Sequence, residues 1–483
     1  MRLRSNFFYN AFLTCSNYLF QIITYPYVSR VLGVENIGIC NFVTSIVQYT
    51  LLFATLGIAI LGIREVARCK NDQQQLSCCF SSLFLLNSIT TIVVLVIYLV
   101  VIAFIPALYA YRKLLYIGAI QIISNLFLVE WFFKGIENFK YITIRSLVVR
   151  ITYVIGVFLL VKSPDDYTLY YSLTVGMVLL NGLINWKCRG KYIKFSIKQV
   201  AIKQYIYPNI IMGLYLILTS MYTSFNVLFL GFVGGETEVG YYTTASKLYS
   251  VILGLFTAFT GVMLPRISNL VEQHAVDQIK HLCHTSFGLL FAFAIPLILF
   301  STLFAPQLIF LLSGPGYEGA IIPMRIIMPL VLIIGIEQIL VVQILMAHKQ
   351  DKAVLTNAVF GALVALSSNI ILVPHFFSIG SGVVWLISEL AVFISSYYFV
   401  NRFIQGIFPW KLLGKNIILT LPLLAFYFIM VCCDYTSYIF LAISAFLSVL
   451  YVFCIQTTIV KEPVIKDILC KILCRLSHRK SNS

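Results

Sequence analysis

Seven ionisable side chains stand among apolar neighbours, and their types point to the handling of anions and small cations. Arg30 closes an apolar stretch in TYPYVSRVLG, Arg64 ends the next in LGIREVAR, Arg150 lies in a fifth, and Lys247 sits one to two turns into an eighth, in GYYTTASKLYS. Arg and Lys side chains from several helices, meeting in one cavity, would suit a pyrophosphate, whose oxygens accept charge-assisted hydrogen bonds. Glu130, Glu337 and Glu389 are the acidic counterparts; they either pair with the cations or carry a coupling proton or sodium ion. Glu337, in LIIGIEQILVVQ with Gln338 and Gln343 beside it, is the best coupling candidate.

Each position also has a plainer reading. Arg64 could anchor a helix end, Arg150 could snorkel to an interface, and Glu130, next to Trp131, could be interfacial. Glu337 could serve a structural pairing. Lys247 is harder to explain this way, because snorkelling would have to cover a full turn or more past small, hydroxylic neighbours.

The elements that hold these groups are read from composition. The chain has 483 residues, 60% hydrophobic and only 11% charged, with a mean hydropathy of +0.93. Soluble domains are nearer half apolar and a quarter charged, so an ordinary globular core is excluded. Windows of about 20 apolar residues, each enough to cross roughly 30 Å of hydrocarbon, fill the sequence. They fall at 6–29, 38–62, 78–104, 112–133, 142–161, 167–186, 205–233, 241–264, 284–312, 321–346, 353–373, 380–401, 415–433 and 436–459. Lipid cannot satisfy a free backbone and no alternating strand pattern occurs, so these are helices. The expected fold class is an all-α integral membrane protein of about fourteen transmembrane helices. The first stretch lacks a small-residue cleavage site and reads as a first span.

With the N-terminus inside, the 34 Lys and Arg residues divide into about 27 inside, 5 outside and 2 in or near spans, as the positive-inside rule requires. One miscounted span would invert every later loop, so this ledger also supports fourteen. It places both termini in the cytoplasm. The net charge of +16 then reflects topology and anionic headgroups rather than nucleic acid, for which there is no motif.

Organisation follows from the basic connection at 187–204, which falls after six spans. It divides an N-lobe of six helices (1–186) from a C-lobe of six (205–401), followed by two additional helices (402–460) and a basic amphipathic cytoplasmic tail (461–483). LGVENIG at 32–38 weakly echoes GETEVG at 235–240. No connection is long enough for a catalytic domain, and zinc spacing, a Walker loop, a dinucleotide fingerprint and a nucleophile elbow are all absent, so no enzyme, metal site or cofactor is expected. His274, His281 and His284 beside Cys283 read as a solvated helix face, and the twelve cysteines as reduced thiols.

Several blocks together resemble the polysaccharide transporters of the multidrug/oligosaccharidyl-lipid/polysaccharide (MOP) superfamily, the Wzx-type O-antigen and capsule repeat-unit flippases. They are YPYVSRVLGVENIG at 25–38, LGIREVARCKNDQQQLS at 61–77, WFFKGIENFKYITIRSLVVR at 131–150, EVGYYTTASKLYSVI at 238–252, LPRISNL at 264–270 and LSGPGYEGAIIPMRI at 312–326. The resemblance covers about 6–460. It implies two six-helix lobes in a V-shaped, MATE-like arrangement around a cationic cavity, with a terminal helix pair. The implied cargo is an undecaprenyl-diphosphate-linked oligosaccharide, moved from the cytoplasmic to the outer leaflet of the bacterial cytoplasmic membrane by alternating access. Membrane lipid and polysaccharide polymerase machinery are the implied partners. Arg30, Arg64 and Lys247 fall in family-like blocks. Many relatives carry an acidic residue where this chain has Asn226, which argues against ion coupling there.

Two other readings compete. A cation-coupled small-molecule or drug antiporter of the same superfamily would prefer an acidic cavity, whereas the candidate charges here are mainly basic. A polymerase or ligase would need a sizeable outer loop with reactive groups.

Overall fold

The structure, a computed structural model, describes residues 2–193, 195, 200–432 and 438–460; the expected tail at 461–483 and part of the 187–204 connection lie outside them. Among the described residues there are helices and no strands. The reason is the solvent: within hydrocarbon, a helix satisfies every backbone group inside its own segment.

Eleven of the helices are long and apolar enough to cross a membrane. Two of those carry two spans each. Helix α1 (Arg2–Thr55) is 54 residues long, about 80 Å at 1.5 Å per residue, far beyond one crossing. It breaks at Gly33, whose φ of 76° and ψ of 171° suit a residue without a Cβ. A second long helix, Asp351–Phe403, breaks in the same way at Phe377 (φ 45°), three residues after Pro374. Dividing both and adding the apolar Trp410–Cys432 recovers the fourteen expected spans. The structure differs in detail. The expected second span is interrupted, so that α2 (Ile58–Cys69) is a separate helix, and the seventh breaks at Ser224.

The chain gathers into two compact units. Unit 1 is Met1–Thr244, Leu312–Gly319 and Ala362–Trp385; unit 2 is Ala245–Leu311, Ala320–Gly361 and Leu386–Ser483. Within unit 1 the chain continues through α3 (Gln73–Phe104), α4 (Arg112–Leu128), α5 (Glu130–Gly135), α6 (Phe139–Leu160), α7 (Tyr167–Arg189), α8 (Lys203–Thr223) and α9 (Phe225–Val233), and into α10 (Gly235–Glu272). Its buried core holds Leu61, Phe80, Phe132 and Phe133 around α2, α3 and α5, and Val43, Val47, Tyr98 and Tyr171 around α1, α3, α4 and α7.

Lipid tails are as apolar as leucine, so burying leucine against leucine contributes little inside a membrane, and close packing and polar contacts decide. Unit 1 shows both. A Cβ added to Gly38 would lie 1.8 Å from the Glu236 carbonyl oxygen, and one added to Gly240 would lie 2.3 Å from that of Val34. Tyr25 Oη and Thr244 Oγ1 are 2.6 Å apart, and Asn41 donates to Thr243 at 3.0 Å. Tyr111 donates to the Glu236 carboxylate, and the Ser378 amide donates to Glu238. These contacts gather at the end of unit 1 that carries the Gly33 turn.

In unit 2, α11 (Val276–Leu303) packs on the helices Leu330–Glu337 and Trp410–Cys432. Phe287, Phe291, Phe393 and Trp410 surround the ring of Phe408. The Leu330–Glu337 helix passes into a wider-wound π segment, Gln338–Met346, directly after Glu337.

Candidate functional site

At the end of unit 1 opposite the Gly33 turn lies a cavity of about 450 Å³, in the range of small-ligand sites. Its wall mixes apolar side chains, among them Leu51, Leu52, Ile58 and Leu128, with polar ones: Gln48 and Tyr49 from α1, Asn87 from α3, Asn125 from α4, and Ser220 and Ser224 at the end of α8. Glu130, Trp131 and Lys134 of α5 also line it. Carboxamides, hydroxyls and aromatic rings are the groups that bind sugars, by hydrogen bonds to hydroxyls and by ring stacking. The carboxamide oxygen of Asn87 is buried and has no hydrogen-bond partner among the described residues.

The α5 side chains reach this wall because the chain breaks at Val129, which takes the left-handed conformation (φ 34°, ψ 36°). A β-branched residue is strained there. Two contacts hold the break. Asn185, fully buried on α7, donates to the carbonyl of Leu128, the orphaned end of α4, and in turn accepts from the Tyr141 hydroxyl at 3.0 Å. After the break, Trp131 stacks on Phe80 at 5.3 Å between ring centroids. It also lies against Gly62, where a Cβ would come within 2.6 Å of the ring.

The charges at this wall form one group. Arg145 Nη2 donates to Glu130 Oε1 at 2.7 Å, and Lys134 Nζ is 3.4 Å from Glu130 Oε2. The Arg145 side chain is 3% exposed, that of Lys134 39%. Nε and Nη1 of Arg145 have no partner among the described residues. Glu130, read from sequence as either pairing or coupling, is therefore found paired.

The other sequence candidates are spread out. In unit 1, Arg30 is exposed, donates to the Pro26 carbonyl at 2.8 Å and lays its stem against Gly314. Arg64 bonds its neighbour Glu65 at 3.1 Å and is 44% exposed. Uninterrupted helix from residue 34 to 55 puts about 33 Å between the levels of these two arginines, so they do not meet at one point. Arg150 lies halfway along α6, over the ring of Phe20 at 5.8 Å. Arg64 is the nearest of the three to the cavity, through Ile63 in its wall.

Lys247, partly buried, belongs to unit 2, as do Glu337 and Glu389. The two glutamates are 6% and 2% exposed and lie close to each other. Like charges so placed in a dry interior repel strongly. Asn226, in unit 1, is buried in a neutral network: it accepts from Asn369 at 2.8 Å and faces the Tyr242 hydroxyl and the Ser381 carbonyl at 3.4 Å. Among the described residues no group of three His, Cys, Asp or Glu side chains is placed to hold a metal.

Sequence reading missed Asn87, Asn125, Lys134 and Arg145 as a set. The four-residue spacing of Glu130 and Lys134 was the available signal for that pair.

Comparison with known proteins gives consistent matches. The family model described as "Polysaccharide biosynthesis protein" matches residues 3–271. A "Putative O-antigen transporter" of Escherichia coli (strain K12) is 24% identical over 417 residues, covering 83% of this chain and 97% of that protein. One of the same name from Shigella dysenteriae is 26% identical over 272 residues, or 55% and 67% of the two chains. Among solved structures, the lipid II flippase MurJ in an inward closed conformation superposes with a TM-score of 0.72 at 15% identity, over 96% of this chain and 99% of that one. An inward-facing multidrug resistance MATE family transporter of the MOP superfamily gives 0.59 at 16% identity, over 81% and 98%. At such identities the structural matches establish the fold, that of a helical membrane transporter.

Proposed function

The chain belongs to the polysaccharide biosynthesis protein family, and from that membership we propose that it moves lipid-linked oligosaccharide repeat units from the cytoplasmic to the outer leaflet of a bacterial inner membrane. The cargo is an undecaprenyl-diphosphate-linked saccharide destined for O-antigen, capsule or exopolysaccharide, and polymerase machinery takes it up outside. Movement is by alternating access between the two six-helix lobes read from the sequence, with both termini in the cytoplasm.

The observation that carries this reading is the polar cavity of unit 1. In a chamber of about 450 Å³ the carboxamides of Gln48, Asn87 and Asn125 stand among apolar side chains such as Leu51 and Ile58, and they suit the hydroxyls of a saccharide. The competing antiporter of organic cations fits less well, because Glu130, the carboxylate in this wall, is already held by Arg145 and Lys134. The test is deletion of the gene with recovery of lipid-linked repeat units. The expected result is their accumulation in the inner leaflet and loss of surface polysaccharide, both restored by the intact gene. Normal surface polysaccharide in the deletion strain would reject the reading.

The Glu337 and Glu389 pair supplies the coupling: a shared proton is the form in which the ion gradient is used. Glutamine can keep a hydrogen bond where the carboxyl stood, so Glu389→Gln is expected to fold normally and to lose its response to an imposed pH gradient. An unchanged response, or one to sodium alone, would remove the pair from coupling.

A further inference from the structure

Glu130 is one carboxylate facing two cations, so the group on the cavity wall carries a surplus positive charge. The two contacts are unequal. Arg145 is at 2.7 Å and buried, whereas Lys134 is at 3.4 Å and lines the cavity, beyond a close ammonium to carboxylate bond. Arg145 thus neutralises Glu130, and the ammonium of Lys134 keeps donors to offer. Behind it, Arg145 Nε and Nη1 have found no acceptor. A field of this sign selects an anion with several oxygens.

We propose that Lys134, beside the Glu130–Arg145 pair, is the binding residue for the phosphate that joins lipid to saccharide, on the wall of the cavity. This rests on the function proposed above and moves the phosphate contact away from Arg30, Arg150 and Lys247. The order of the wall agrees with the order of the cargo. Lys134 is one turn of α5 from Trp131, and the neutral groups Asn87, Asn125 and Gln48 lie within the same chamber. A diphosphate held at Lys134 would present its first sugar to them. A phospholipid headgroup offers the same phosphate chemistry, so the experiment must separate the two sources.

The test uses the full chain in nanodiscs of phosphatidylcholine, with farnesyl diphosphate as probe and farnesol as its uncharged counterpart. Lys134→Gln is expected to weaken farnesyl diphosphate binding by about tenfold or more, as for loss of a charged hydrogen bond. Lys134→Arg should retain most of it, and farnesol should not compete. Glu130→Gln keeps an acceptor for Arg145 while removing the negative charge, so it should tighten binding, an outcome that a merely structural glutamate would not give. Thermal unfolding of each variant identifies any that fails to fold, and Lys134→Arg then decides.

Equal binding by the wild type and Lys134→Gln would overturn the assignment. So would loss of probe binding when a tenth of the lipid is replaced by phosphatidylglycerol, which would assign the site to a headgroup. If the wild type neither binds the probe nor restores surface polysaccharide, the functional reading itself has failed. If it restores polysaccharide and Lys134→Gln binds normally, only this assignment has.

Discussion

Glu130→Ala is expected to destabilise this protein by about 3 kcal/mol, the lower end for breaking a buried ion pair. The cause is the partner left behind. Arg145 has a side chain 3% exposed, and without the carboxylate its guanidinium keeps, among the described residues, only Ser146 at 2.9 Å as a side-chain acceptor. The partial exposure of Glu130, 31%, keeps the loss from being larger. Adding Arg145→Met should recover most of the stability, because a buried pair replaced by apolar groups of similar volume is often neutral. Thermal unfolding of the two single variants and the double variant measures this, and a double variant as unstable as Glu130→Ala would contradict it.

The second large effect concerns the opposite end of unit 1. Gly38→Ala would place a methyl group 1.8 Å from the Glu236 carbonyl oxygen, and the obstacle is backbone, which no rotamer change can relieve. Gly240 meets the Val34 carbonyl in the same way at 2.3 Å. Overpacking of this kind costs about 1–3 kcal/mol, and two backbones in contact put Gly38 at the top of that range. The substitution should also break the contacts nearby, from Asn41 to Thr243 and from Tyr111 to Glu236. Gly176→Ala is the control, since nothing lies within 4 Å of its added Cβ. It should be neutral or slightly stabilising, as alanine favours a helix by up to about 1 kcal/mol over glycine. Equal melting temperatures for the two variants would contradict the packing account.

Much of the fold was legible in the residues. Apolar windows and the charge ledger give fourteen spans, and the gaps between windows at 30–37 and 374–379 mark two of the breaks. The break at Val129 was not legible, because LFLVEWFFKG contains no residue that ends a helix at that point. What holds it is Asn185, far along the chain, bonding to the Leu128 carbonyl. Without that break, Glu130, Trp131 and Lys134 read as an ordinary helix end, and a cavity wall cannot be inferred.

The candidate site was legible by residue type more than by place. A cation at depth needs a partner, as Arg145 shows, yet in the sequence Arg145 is one more inner positive charge, since its burial comes from packing that sequence does not display. Arg30 and Arg64, by contrast, stand out in the sequence as cations that close apolar stretches. The rise of the helix between them already implied that they stand a membrane thickness apart. The Asn226 network depended on Asn369, 143 positions along the chain, a contact with no local signal.

The most direct test of the central claim is transbilayer movement of a polyprenyl-diphosphate-linked oligosaccharide in proteoliposomes that contain only this protein. Outward-exposed saccharide should appear with the wild type well above protein-free vesicles, and Lys134→Gln should slow it strongly. Saccharide exposure no faster than in empty vesicles, from protein shown to be folded and inserted, would contradict the account.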